Sequence, residues 1–189
     1  MDDIVKQAMA KWPNVPDCYG WLGLDARGQW FMRDDAAQAQ GAFASGRPGA
    51  KGSRLQHEKL IDFIQRNYAA DASGRWFFQN GPQRVFVELE ATPWVWRVAD
   101  DGAVAAHTGA TVQVQEALLD EDGWLYLVTD LGVGRVVLAR LLDADPEEAE
   151  KVASSFVSLR AVLGLIGPAT QRGIRHYQRS LGLPADGYP

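Results

Sequence analysis

One phrase constrains this chain more than any other. Asp25-Ala26-Arg27-Gly28-Gln29-Trp30-Phe31 returns 46 residues later as Asp71-Ala72-Ser73-Gly74-Arg75-Trp76-Phe77. Asp favours entry into a turn and Gly supplies the positive φ that a short hairpin loop needs, so each phrase predicts two antiparallel strands joined by a tight turn. Two further acidic-Gly turns stand at Asp100-Asp101-Gly102 and Asp120-Glu121-Asp122-Gly123. Because these break the 46-residue period, they point to reused hairpin chemistry and not to a repeat array. A large ring just after the turn can cover one face of a twisted sheet, which makes the tryptophans primarily architectural.

The rest of the first 145 residues fits around those hairpins. Residues 2–10 predict a short helix stopped by Pro13 and Pro16, and residues 34–53, rich in glycine, predict a long mobile loop. Ser53-Arg54-Leu55-Gln56 has the spacing of a capping box opening a helix through about residue 69, with Leu60, Ile61, Ile64 and Tyr68 on its apolar face. Residues 84–90 alternate Val85, Val87 and Leu89 with mostly polar neighbours, the period of a half-buried strand. Trp94-Val95-Trp96-Arg97-Val98, Thr111 to Leu119, Trp124 to Thr129 and Gly134 to Leu138 supply further strands. The expected fold is α+β: a hairpin-built antiparallel sheet domain over 1–145 with a packed helix.

Composition changes after that point. All 7 tryptophans lie between Trp12 and Trp124, and residues 1–150 carry 14 Lys/Arg against 23 Asp/Glu, whereas residues 151–189 carry 5 against 1. Asp145-Pro146-Glu147-Glu148 reads as a helix start, with Asp at the cap, Pro at the first helical position and acids near the positive helix end. Residues 146–189 therefore form an expected C-terminal helical appendage. Arg172, Arg175 and Arg179 fall on one side of its last helix, where they could meet the acidic body of the chain.

Two resemblances bear on this division. The run Trp12-Pro13-Asn14-Val15-Pro16-Asp17-Cys18-Tyr19-Gly20-Trp21-Leu22, with Arg66-Asn67-Tyr68, residues 76–87 and His107-Thr108-Gly109, resembles an uncharacterised family of bacterial proteins of unknown function across about residues 10–140. That likeness implies kinship and no activity. Gly167-Pro168-Ala169-Thr170, Ile174, Tyr177-Gln178 and Gly182-Leu183-Pro184-Ala185-Asp186-Gly187 are similar to the latter part of a peptidoglycan-binding-like three-helix domain, which implies glycan recognition through Arg175, Tyr177 and Gln178.

Chemistry-bearing motifs are few. His57-Glu58 lacks a second His at metalloprotease spacing, and one cysteine cannot form a C-x-x-C site, so no metal and no cofactor is expected. Gly132-Val133-Gly134 is followed by no Lys-Ser/Thr and reads as a strand bend. Cys18 or His107 could serve an unrecognised hydrolase, His107 because a histidine at a strand end can titrate near neutral pH. No third orienting group accompanies either.

The net charge of −5 argues against a phosphate-backbone partner, no apolar run approaches the length of a membrane span, and Met1-Asp2-Asp3-Ile4 has no basic, apolar leader. With a single cysteine, this predicts a cytoplasmic protein. The expected function is a non-enzymatic binding or interaction module for a small molecule, glycan or protein, with His107, Trp94 and Trp96 as candidate contacts in the sheet domain.

Overall fold

The computed structural model describes residues 1–99, 102–119 and 124–137. The elements are α1 (Asp3–Lys11), β1 (Cys18–Leu24), β2 (Trp30–Met32), α2 (Asp35–Ala39), β3 (Ser53–Arg54), α3 (Glu58–Arg66), β4 (Tyr68–Ala70), β5 (Trp76–Asn80), β6 (Gln83–Leu89), β7 (Trp94–Val98), β8 (Val104–Ala106), β9 (Val114–Leu119), β10 (Leu125–Thr129) and β11 (Gly132–Val136). They belong to two compact units, one of Met1–Pro93 and one beginning at Trp94. The boundary expected near 145, and the helices expected beyond it, lie outside the described residues.

The first unit is a six-stranded sheet in the order β3-β2-β1-β6-β5-β4. Both repeated phrases form the predicted hairpins, and by the same bonds. In the first, Gly28 N–H donates to the Asp25 carbonyl, Asp25 N–H donates to the Gln29 carbonyl, and the Asp25 carboxylate accepts from Arg27 and Gln29 N–H. Asp71, Gly74, Arg75 and Ser73 repeat each of these contacts. The two glycines stand at φ 77° and 78°, where a β-carbon is strained.

Helix α3 covers one face of this sheet. Leu22, Leu24, Trp30, Ile64 and Phe78 form the buried centre, with Leu60, Ile61, Phe63, Val85, Val87 and Leu89 packed against it. Trp30 meets Tyr68 edge to face at 5.3 Å, as the architectural reading of the tryptophans requires. The helix starts later than the capping-box spacing predicts. Ser53 and Arg54 pair with Met32 and Phe31, and Leu55 N–H goes on to the Trp30 carbonyl, so that segment is committed to the sheet. His57 caps the helix instead, its Nδ1 accepting from Leu60 N–H at 3.2 Å. The helix ends at Arg66 because Tyr68–Ala70 is drawn into pairing with β5.

The second unit is a five-stranded sheet in the order β8-β7-β11-β10-β9. Trp96, Val104, Ala106, Val112, Ala117, Leu125, Leu127 and Val136 form its buried core. The glycines at 132 and 134 lie in β11, Gly132 at φ 124° where the chain enters the strand from the turn after β10. An added β-carbon at Gly134 would run into the Trp94 carbonyl and, at 2.6 Å, the Trp96 indole nitrogen, so glycine is what lets β11 lie beside β7.

Neither sheet is purely antiparallel, contrary to the sequence expectation. β1 runs parallel to β6 and β7 runs parallel to β11, each at the middle of its sheet. A parallel pair needs a long crossover, which no hairpin signature encodes. The two units share one plan: order β8-β7-β11-β10-β9 reads as β2-β1-β6-β5-β4, without the β3 edge.

Candidate functional site

Three sequence candidates come together in the second unit. Trp94 and Trp96, two residues apart on β7, stack at 5.9 Å with their rings 11° from parallel. His107 lies 5.9 Å from Trp94 at 50°. It is placed there by the turn after β8: His107 N–H donates to the Val95 carbonyl, and Gly109 N–H closes the turn on the Ala106 carbonyl.

This cluster is packed tightly. Trp96 has no exposed surface and donates its indole N–H to the Leu127 carbonyl at 3.0 Å, while His107 is 5% exposed and Trp94 half-buried. Burial, reinforced by the nearby positive charge of Arg97, lowers the His107 pKa to about 3. That corrects the expectation of titration near neutral pH. A neutral imidazole that stays neutral down to strongly acidic pH cannot shuttle protons at pH 7.

The remaining candidates are not brought into this cluster. Arg175, Tyr177 and Gln178 lie outside the described residues, as do Asp100, Asp101 and the 120–122 acids. Cys18 is a half-buried free thiol in the first unit, on β1. Among the described residues, no group of three or more His, Cys, Asp or Glu side chains could hold a metal ion, and no helix is long and apolar enough to cross a membrane.

A different surface stands out in the first unit, where β1 departs from regular pairing. Cys18 is opposite Val85 and Leu22 opposite Val87, so four residues of β1 span the advance of two on β6. Gly20, at φ 80°, takes up the excess. Such a bulge re-aims side chains, and here it flanks two rings: Tyr19 is 54% exposed and Trp21 42% exposed.

The rings beside the bulge form a layered set with arginines. Tyr19 stacks on Phe86 at 4.7 Å with the rings 1° from parallel, and Phe86 in turn meets Phe77 at 5.8 Å. The Arg75 guanidinium sits 4.6 Å above Phe86, and that of Arg84 sits 5.2 Å above Phe77. Arg75 is held by Asp71 at 2.8 Å, which raises its pKa and lowers that of Asp71; the Asp71 carboxylate is held low first by the Arg75 backbone N–H. Arg84 is exposed and has no carboxylate partner among the described residues.

Trp21 differs from the other exposed tryptophans. Lys11 lies over the Trp12 ring at 4.6 Å and Arg135 over the Trp124 ring at 3.2 Å, whereas no described side chain stacks on or bonds to Trp21. Sequence reasoning left open whether Trp21 is buried or exposed and passed over Tyr19 and Arg84. The available signal was Tyr-Gly-Trp, a glycine between two large rings inside an expected strand.

The described structure is thus that of an α+β protein with two mixed sheets, an aromatic core in the second unit and an open aromatic surface on the first. The sequence matches, over residues 1–170, the family DUF2944, described as "Protein of unknown function (DUF2946)", and the chain belongs to that family. The match runs past the boundary expected near 145. No curated protein matches. Among solved structures, the chain is similar to a DUF1285 family protein from Silicibacter pomeroyi DSS-3, at 11% identity over 73% of this chain and 80% of that one, with a TM-score of 0.42. These comparisons lend no support to the peptidoglycan-binding likeness of the tail.

Proposed function

We propose that this protein is a non-enzymatic interaction module whose contact surface is the bulged N-terminal end of β1, formed by Tyr19 and Trp21 and flanked by Arg84. The observation that carries the proposal is the Trp21 ring, exposed and without a stacking or hydrogen-bonding partner among the described residues. Leaving a large ring in water forgoes roughly 1.5–3 kcal/mol of burial, which a partner recovers on binding. Tyr, Trp and Arg are the residue types that dominate interface energetics.

The partner implied is another protein, presenting an apolar side chain to the two rings beside a carboxylate that meets Arg84. Its charge would complement that arginine, which is held by an aromatic face and not by an acid. His107, Trp94 and Trp96 serve this reading as the core of the second unit. Photocrosslinking from position 19, competed with wild-type protein and with variants of the surface, tests the proposal.

A further inference from the structure

Residues 34–52, within the segment 34–53 expected as a long mobile loop, are tied down by very few side chains. Ala37, Phe43 and Ala50 are their buried apolar residues, while most of 40–49 is exposed. What holds them is a pair of basic groups. Arg33, itself buried, donates from Nε to the Ala50 carbonyl at 2.8 Å and from Nη2 to the Gly41 and Ala37 carbonyls, and pairs through Nη1 with Glu88 of β6. Lys51 binds Glu90 at 2.7 Å and lies over the Phe31 and Phe43 rings.

The same segment touches the bulge. The Gln38 amide oxygen stands 2.6 Å from where a Gly20 β-carbon would be, and Gln38 Nε2 bonds back to the Arg33 carbonyl at 3.4 Å. The glycine that turns the backbone between Tyr19 and Trp21 is therefore in contact with the segment that Arg33 anchors.

We infer that residues 34–52 form a strap that sets the geometry of the Tyr19–Trp21 surface: latched by Arg33 on Glu88 and Lys51 on Glu90, it holds Gln38 against Gly20, and lifted, it frees the bulge. A segment with so few buried apolar contacts opens locally, well below the cost of global unfolding. The inference rests on the reading of Tyr19 and Trp21 as the contact surface, and it makes that surface conditional on the strap.

The test uses the full chain labelled with 5-fluorotryptophan, its Trp21 signal assigned by Trp21→Phe, with tryptic cleavage after Lys51 as the measure of strap opening. Phe43→Ala removes the one large apolar anchor. The expected result is at least tenfold faster cleavage after Lys51 and a shifted or broadened Trp21 resonance, with the Trp96 resonance unchanged. Faster cleavage with Trp21 unmoved overturns the coupling, and unchanged cleavage overturns the strap. If the Trp30 resonance shows that Phe43→Ala unfolds the first unit, Lys51 being then still in place for trypsin, Glu90→Gln, which removes the charge that holds Lys51 and keeps an amide oxygen for the Ala26 N–H, takes its place with the same two outcomes. Neither readout needs a partner, so failure here is separable from failure of the binding surface in crosslinking.

Discussion

The ring of Phe43 fills the space that a β-carbon on Gly23 would need, its nearest atom 2.5 Å from that position. Gly23→Ala should therefore expel or tilt the ring and cost about 1–3 kcal/mol, the usual range for overpacking. Gly74 has open space around it and should cost about 1 kcal/mol on change to Ala, through its positive φ alone. Urea unfolding of the two variants checks the order, and equal losses would contradict it.

Glu88→Gln should cost about 1–3 kcal/mol, because it leaves the buried Arg33 guanidinium without its partly exposed carboxylate partner. The double variant Arg33→Met, Glu88→Gln should recover part of that loss. A double variant no more stable than Glu88→Gln alone would show that the carbonyl bonds of Arg33, and not its charge, carry the interaction.

His107 makes stability depend on pH. Its folded pKa, about 3, lies below the ordinary histidine value near 6.5, so between those limits the unfolded chain binds the extra proton. The contribution is fully present above pH 6.5 and is lost as pH falls, at up to about 1.4 kcal/mol per pH unit until pH 3. In chemical denaturation between pH 7 and 5, His107→Gln should flatten this slope for the second unit. An unchanged slope would mean that other groups carry it.

In that same unit, Gly134→Ala should destabilise by about 2 kcal/mol or more, since the new β-carbon meets backbone and indole and not a flexible side-chain end. Trp96→Phe should cost a similar amount by removing the bond to Leu127 and leaving a void. Near-ultraviolet circular dichroism with thermal melts distinguishes loss of packing from loss of fold.

Local structure was legible in the sequence wherever the chemistry is local. The turn at Asp25–Gly28 and its copy at Asp71–Gly74 announce their hairpins because Asp and Gly act within four residues. The parallel pairing of β1 with β6 left no such trace, since it joins Leu22 to Val87, 65 positions further along the chain. Ser53–Gln56 misled because a strand partner at Phe31 outcompeted the local cap. The cluster of Trp94, Trp96 and His107 was legible as three residue types, but whether they face solvent or one another is decided by the β7–β11 pairing. The Tyr19–Trp21 surface stayed hidden because an aromatic-rich strand reads as buried until its register shows the bulge.

On the function proposed above, the bulged N-terminal end of β1 is the contact surface. A photocrosslinking phenylalanine analogue at Tyr19, with the same group at exposed Leu131 as control, tests it in extract of the source organism. A discrete adduct is expected from position 19 and none of the same size from 131. A tenfold excess of unlabelled wild-type protein should abolish it, and an equal excess of Trp21→Ala, Arg84→Glu protein should not. No adduct at position 19, or equal competition by wild type and variant, would contradict the account.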